Sequence, residues 1–133
     1  MEKIKTFLMF EGKAKEAMNF YTGIFPNSKI ITETLYKKNE AGAEGTVMQA
    51  VFSLNGTEYM CIDSPGKHAF TFTPSISLFV TCETEEEIDN TFAKLAEDGN
   101  ILMPLAPYPF SKKFGWLSDK FGVSWQLTMQ TKQ

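Results

Sequence analysis

Gln126 is the residue whose chemistry and position most directly suggest a functional site. It lies in the stretch GWLSDKFGVSWQL, residues 115–127, which predicts a strand, a tight turn over residues 119–122 and a returning strand. Alternation along the second strand directs Ser124, Gln126 and Thr128 to one face and the apolar residues between them to the other. An amide offers two donors and an acceptor. Gln126 can therefore ligate a metal ion, contact an organic ligand, or bond only to other groups of the wall.

The chain offers few other groups for catalysis. Its one histidine, His68, falls between two strand-rich halves. Glu58 and Asp63 are carboxylates from which an acid–base pair or a rebuilt metal site is conceivable, although no spacing requires one. Cys61 and Cys82 lie in apolar strand-like runs, which predicts buried free thiols rather than a nucleophile. No motif typical of a Ser-His-Asp triad, a phosphate-binding glycine loop or a CxxC pair is present.

Composition places the chain among ordinary globular proteins of one domain. It has 133 residues, a formal net charge of -3 and a pI near 5.2, with 12 Phe and 7 Met available for a core. A nucleic-acid-binding protein normally carries a basic face, which this acidic balance does not provide. The N-terminal stretch MEKIKTFLMF has only a four-residue apolar run, which is too short for a signal peptide or a membrane span. We therefore expect a cytoplasmic protein with no nucleic-acid or membrane partner.

The order of the predicted elements repeats once along the chain. Hydrophobic periodicity and turn residues predict strand 4–10, helix 14–25, strands 29–36, 46–54 and 57–63, strand 75–82, a helix that opens with a capping box at 84–87 and closes at Gly99, strand 100–105, and the hairpin. The Pro-rich stretch PLAPYPF, residues 104–110, is predicted to be a loop. Residues 1–133 thus form a single predicted domain of two βαβββ modules, 1–66 and 73–130. Two such modules favour an α+β fold, a curved mixed sheet with helices outside and a concave cavity inside.

The same alternation predicts which side chains line that cavity. The candidates are Thr6, Leu8 and Phe10 on the first strand, Phe52 on the third, Ser75, Ser77 and Phe79 on the fifth, and Trp116 and Gln126 in the hairpin. Apolar walls, several hydroxyls and one amide suit a small, largely uncharged or aromatic molecule. The alternative is that these side chains simply fill the space. The Pro-rich loop, with Tyr108 and Phe110, would form a lid or cap an edge of the core.

Three segments of the chain carry a resemblance to a known family. They are, in order, FLMFEGKAKEAMNFYTGIFPNSKI, SISLFVTCETEEEIDNTFAKL and GWLSDKFGVSWQL. Together they resemble the PhnB-like branch of the vicinal oxygen chelate superfamily, whose members include glyoxalases and bleomycin-resistance proteins. This branch is often labelled 3-demethylubiquinone-9 3-methyltransferase-like. The resemblance covers nearly the whole chain and implies the paired βαβββ fold and a homodimer. Methyl transfer is not expected, because the sequence lacks the strand, Gly-rich turn and helix typical of a nucleotide-cofactor methyltransferase.

The resemblance also implies where a metal ion would be held. Metal-using members of the superfamily place four ligands, usually His, Glu or Gln, on the first, fourth, fifth and last strands. The corresponding positions here are Thr6, either Met60 or Cys61, Ser75 and Gln126. Hydroxyl side chains are poor ligands for divalent transition metals in comparison with imidazole and carboxylate. We therefore predict no metal ion and no cofactor.

These observations favour a metal-free protein that binds a small organic molecule in its cavity. Two alternatives stay open. One is an enzyme of the same superfamily, a metal-dependent lyase, isomerase or thiol transferase with a nonstandard site. The other is a protein-interaction module whose cavity is vestigial. Retained metal would distinguish the enzyme, and a ligand-stabilised cavity would distinguish the binding protein.

Overall fold

The computed structural model describes residues 3–130, which form eight strands and two helices. In chain order these are β1 (Thr6–Phe10), α1 (Ala14–Ile24), β2 (Lys29–Leu35), β3 (Val47–Leu54), β4 (Thr57–Asp63), β5 (Ser77–Cys82), α2 (Glu85–Ala96), β6 (Asn100–Tyr108), β7 (Ser111–Ser118) and β8 (Ser124–Met129). The chain divides into two compact units, Met1–Ala69 and Phe70–Gln133. Each unit has the order βαβββ, so the predicted α+β fold of two such modules is confirmed.

Each unit has its own four-stranded mixed sheet. The strand order is β1-β4-β3-β2 in the first unit and β5-β8-β7-β6 in the second. The first strand of each unit runs parallel to the last, and the remaining pairs are antiparallel. The hydrogen-bonded strands therefore form two separate sheets, where the sequence predicted a single curved one.

The core of the first unit lies between its sheet and α1. Ala17 and Tyr21 of the helix are fully buried, and the Tyr21 ring stacks on the ring of Phe52 in β3 with 6.3 Å between centroids. The face of the sheet that carries Phe52 is therefore the helix-covered face. Burial of large rings of this kind supplies much of the stabilising apolar area in a small core.

In the second unit, α2 covers the corresponding face of the sheet. Gly115 of β7 lies so close to the ring of Phe92 in α2 that a Cβ atom there would collide with it. Gly115 pairs with Leu127 of β8, which is fully buried. Successive strand residues point to opposite faces, so Gln126 lies on the face opposite α2. We call this the helix-free face.

Asp63, at the end of β4, fixes the start of α1. Its Oδ1 accepts hydrogen bonds from the backbone N–H groups of Gly12 (2.7 Å) and Ala14 (3.0 Å), and its Oδ2 accepts one from Val47 (2.9 Å). The N-cap residue of α1, Lys13, makes no side-chain capping bond of its own. The Asp63 carboxylate is buried and thus caps a helix whose N-terminal N–H groups would otherwise lack partners.

The second helix carries its own cap. The Thr84 hydroxyl oxygen accepts the Glu87 N–H at 3.1 Å, and a Glu87 carboxylate oxygen accepts the Glu83 N–H at 2.8 Å. The predicted capping box is therefore present, with the return bond shifted by one residue. Among residues 3–130, neither helix has the length and apolar character needed to cross a membrane.

The prediction of a Pro-rich loop at 104–110 is wrong. Pro104 and Pro107 lie inside β6, and only Pro109 and Phe110 form the turn that joins it to β7. Proline cannot donate to a strand ladder, but an edge strand has one side without a partner strand. β6 is such an edge, and its pairing with β7 shows three register shifts. An irregular edge strand accommodates both prolines.

Candidate ligand-binding site

One row of side chains crosses the helix-free face of the second sheet. In the strand register, Phe79 of β5 pairs with Gln126 of β8, Gln126 pairs with Trp116 of β7, and Trp116 pairs with Met103 of β6. Residues that are directly opposite in neighbouring strands project from the same face. The amide of Gln126 therefore lies between two aromatic rings.

A pocket of about 530 Å³ lies over this row. It is lined by Phe79, Met103, Phe110, Phe114, Trp116, Gln126 and Thr128, all in the second unit. No lining side chain is ionisable at neutral pH, and four of the seven are aromatic. A volume of this order is typical of small-molecule sites, which combine apolar walls with few polar groups.

Phe110 closes one side of the pocket from the turn between β6 and β7. Its ring packs edge-on against Phe114 at 4.9 Å and stacks on Tyr108 at 5.7 Å between centroids. Tyr108 is itself held, because its hydroxyl donates to the Pro104 carbonyl at 2.8 Å. Phe110 nevertheless keeps 66% of its surface exposed. A supported ring with this much free surface is suited to pack against a ligand.

A chain of hydrogen bonds holds Trp116 and Gln126 in place. The Trp116 indole Nε1 donates to the Ser124 hydroxyl at 2.8 Å, and the Ser124 and Ser77 hydroxyls are 2.7 Å apart. The Gln126 amide Nε2 donates to the Ser77 hydroxyl at 3.3 Å. Gln126 thus both lines the pocket and bonds to its wall, where its partner is the Ser77 hydroxyl.

The structure brings together the predicted site residues of the second module. Phe79, Trp116 and Gln126 line the pocket, and the Ser77 hydroxyl accepts a hydrogen bond from Gln126. Ser75 precedes β5, where its hydroxyl bonds to Thr73 at 2.7 Å. Ser75 is therefore not among the residues that line this pocket.

The predicted site residues of the first module lie on a different surface from the one expected. Leu8, Phe10 and Phe52 are buried on the face covered by α1, and Thr6 lies in the same alternating set. The sequence predicts them on the opposite face, which α1 does not cover. The reason for the difference is that β1, TFLMF, is apolar on both faces, so that alternation alone does not identify the face that the helix covers.

Four lining residues are not among the nine predicted cavity residues: Met103, Phe110, Phe114 and Thr128. Phe110 was predicted only as part of the Pro-rich loop. Thr128 already fell on the Gln126 face by alternation, so that signal was available. Met103 and Phe114 enter the pocket through the pairing of β7 with β6 on one side and β8 on the other, which the sequence does not specify.

The fourth-strand register, left open between Met60 and Cys61, is settled by the pairing of β4. Cys61 is fully buried opposite Leu8 and Ala50 on the helix-covered face, so Met60 lies on the other face. Burial, and then the nearby carboxylates of Asp63 and Glu33, raise the pKa of the Cys61 thiol to about 12. This thiol is protonated at neutral pH and is a poor nucleophile or metal ligand.

The donor set does not fit a divalent transition metal. Within residues 3–130 no three His, Cys, Asp or Glu side chains gather closely enough to hold a metal ion. The pocket itself offers one neutral amide and one hydroxyl, where such metals prefer imidazole, thiolate or carboxylate. His68 is exposed, with its Nε2 2.8 Å from the Ser64 hydroxyl, and is not a lining residue.

Comparison with known proteins gives a family match and a set of structural neighbours. The family model described as 3-demethylubiquinone-9 3-methyltransferase matches residues 2–128. A solved structure from Bacillus cereus, described as a putative 3-demethylubiquinone-9 3-methyltransferase, PhnB protein, is 67% identical. The alignment covers 97% of this chain and 100% of that chain, with a TM-score of 0.95. The comparison with curated proteins finds no match.

More distant neighbours share the fold alone. A protein from Pseudomonas aeruginosa is 22% identical over 99% of this chain and 100% of its own, with a TM-score of 0.85. A mutant of the fosfomycin resistance protein FosX from Listeria monocytogenes, complexed with Mn(II) and 1S,2S-dihydroxypropylphosphonic acid, is 16% identical. It covers 98% of this chain and 95% of its own, with a TM-score of 0.69.

Proposed function

We propose, from the premise that the chain belongs to the 3-demethylubiquinone-9 3-methyltransferase family, that it binds a small uncharged aromatic molecule without a metal ion. The proposed site is the pocket on the helix-free face of the second sheet. The observation that carries the proposal is the lining of this pocket, which has four aromatic rings, one methionine, one hydroxyl and one amide. A charged ligand would find no counter-charge among these side chains.

The two helix starts do not favour methyl transfer from a nucleotide cofactor. Such cofactors are commonly bound where a strand turns into a helix, with the helix N-terminus facing the ligand. The N-terminus of α1 is already bonded to the Asp63 carboxylate, and α2 begins with three glutamates after its Thr84 cap. Both helix starts therefore have acidic neighbours that would repel an anionic cofactor group.

We also propose a compartment and an oligomeric state for the protein. We take the protein to be a homodimer, as the family resemblance implies, and to be cytoplasmic. The two cysteines are buried and unpaired, which suits a reducing compartment. Sedimentation velocity at several protein concentrations would measure the oligomeric state, and a monomer throughout would remove the dimer from the proposal.

The two tryptophans provide a direct test of ligand binding. Trp116 lines the pocket, whereas Trp125 is buried in the core with its Nε1 bonded to Asp119 at 2.9 Å. Each contributes one indole N–H signal to a nitrogen–proton correlation spectrum. Titration with neutral aromatic compounds should shift the Trp116 signal in a saturable manner and leave the Trp125 signal in place.

Trp125 is the internal control for this experiment. A change of both signals together would indicate a general effect on the fold instead of pocket binding. Absence of any shift of the Trp116 signal across neutral aromatics of one and two rings would contradict the proposed function.

A further inference from the structure

Most hydrogen-bond donors of the pocket are already bonded to other groups of the protein. Three lining side chains carry polar hydrogens: Trp116, Gln126 and Thr128. The indole of Trp116 has a single donor and no acceptor. That donor goes to the Ser124 hydroxyl at 2.8 Å, so Trp116 offers a ligand only its ring.

The hydroxyl hydrogen of Thr128 is also engaged in a hydrogen bond within the protein. Its hydroxyl lies 2.7 Å from that of Ser111, and the Ser111 hydroxyl donates to the Lys113 carbonyl at 2.9 Å. Ser111 has only one hydroxyl hydrogen, and a carbonyl can only accept. Thr128 must therefore be the donor of the Thr128–Ser111 bond. What remains for a ligand is the acceptor capacity of the Thr128 oxygen.

The amide oxygen of the lining residue Gln126 is left as an open acceptor. One hydrogen of its Nε2 goes to Ser77 at 3.3 Å, and among residues 3–130 its Oε1 has no hydrogen-bond partner. The polar part of the pocket thus consists of two open acceptors and one open donor. Covering a carbonyl oxygen with an apolar group costs the hydrogen bond that water had provided.

We propose that the pocket selects uncharged aromatic molecules that carry a hydroxyl or amino hydrogen-bond donor, and that Gln126 Oε1 accepts this hydrogen bond. The inference rests on the proposed function, because it names the ligand class of the same pocket. An aromatic molecule whose donor is methylated would make the same ring contacts but leave Oε1 covered and unpaired. Phenolic hydroxyls keep their proton at neutral pH, so the preferred ligand stays uncharged.

The test uses two probes that differ in one methyl group, 2-naphthol and 2-methoxynaphthalene. Their dissociation constants for the full-length protein would be measured by isothermal titration calorimetry at neutral pH. One hydrogen bond of this kind is worth roughly a fivefold difference in affinity. We expect 2-naphthol to bind more tightly by up to that factor, because burial of the methyl group of the ether works in the opposite direction.

A variant identifies the acceptor. Gln126→Met keeps the length of the side chain and removes the amide, so the preference for 2-naphthol should fall about fivefold. Gln130→Met is the matched control, because Gln130 is exposed after β8 and outside the pocket lining, and it should keep the wild-type preference. If Gln126→Met does not fold, the comparison of the two probes on the wild-type protein still decides the ligand class.

The outcomes separate this inference from the function on which it rests. Tighter binding of 2-naphthol, lost in Gln126→Met and kept in Gln130→Met, supports both. Equal binding of the two probes, tighter binding of the ether, or a preference that survives in Gln126→Met overturns the assignment of ligand class and leaves the binding function standing. Binding of neither probe contradicts both.

Discussion

Trp116 and Gln126 owe their positions to hydroxyl groups behind them. Ser124 and Ser77 bond to each other, and each also accepts a bond from one of the two pocket side chains. Ser124 is almost fully buried, so its hydroxyl needs these partners. Packing and hydrogen bonds of this kind fix a binding side chain before the ligand arrives, which lowers the entropy cost of binding.

The two cysteines illustrate the opposite case, in which burial removes reactivity. Burial raises the pKa of both thiols to about 12, with the Asp63 and Glu33 carboxylates adding to the effect at Cys61 and the Glu87 carboxylate at Cys82. A thiol in the unfolded chain ionises near 9.0. The unfolded chain therefore releases these protons at lower pH than the folded chain.

A loss of stability at alkaline pH follows from this difference. The contribution of the two thiols is fully present below pH 9.0 and is lost as the pH rises from 9.0 towards about 12. Urea unfolding from neutral pH to about pH 11 should show a decline that is shallower in a Cys61→Ala, Cys82→Ala variant. An identical slope in the variant and the wild type would show that the thiols do not contribute.

The two faces of β8 could be assigned from sequence because SWQLTM alternates strictly between polar and apolar residues. That pattern identifies the face of Gln126 without any knowledge of the helix. The pattern of β1 does not, since Phe7 and Met9 on one face are as apolar as Leu8 and Phe10 on the other. Only the packing of α1 separates the two faces, and packing is a tertiary property.

At the scale of elements, Asp63 joins three of them. Its carboxylate connects the end of β4 to the start of α1 and to the start of β3 through three backbone N–H groups. The sequence suggested acid–base chemistry as one use of this carboxylate, because a buried aspartate and a catalytic one look alike in a strand. The structure uses both of its oxygens to satisfy backbone donors.

Replacing Asp63 tests this structural role. Asp63→Asn keeps the size of the side chain but substitutes an NH₂ group for one acceptor and removes the charge near the start of α1. We expect the free energy of unfolding to fall by about 2 kcal/mol, because a buried N–H group loses its acceptor. The measurement is urea denaturation followed by circular dichroism.

Asp89→Asn is the control for that measurement. Asp89 is half exposed and forms a surface ion pair with Lys113 at 2.7 Å. Exposed ion pairs contribute little, so this change should cost less than about 1 kcal/mol. Equal losses in the two variants would contradict the assigned role of Asp63.

The edge strand β6 explains why element boundaries near the pocket could not be predicted. Three prolines within residues 104–109 indicate a loop on any local rule. The strand persists because β6 pairs on one side only and its register shifts three times along β7. This irregular pairing is what places Met103 opposite Trp116 and beside the pocket.

At the scale of the whole molecule, duplication of one topology has produced two different helix-free faces. In the first unit, Phe7 pairs with Met60, and Met60 pairs with Val51, so that this row is apolar. In the second unit, the comparable row contains the Gln126 amide between Phe79 and Trp116. The order of the elements could be predicted from the repeated pattern, whereas the chemistry of each face depends on individual side chains.

The composition of the whole chain also predicts that the protein retains little divalent metal. The sequence has one histidine, and residues 3–130 contain no cluster of three His, Cys, Asp or Glu. Neutral amide and hydroxyl groups hold divalent transition metals weakly. After exposure to zinc, nickel, manganese and iron(II) and then desalting, plasma mass spectrometry should detect far less than one metal ion per chain. About one retained ion per chain would instead favour the metal-dependent enzyme, and loss of that ion in Gln126→Met, compared with its retention in Gln130→Met, would place it in the pocket.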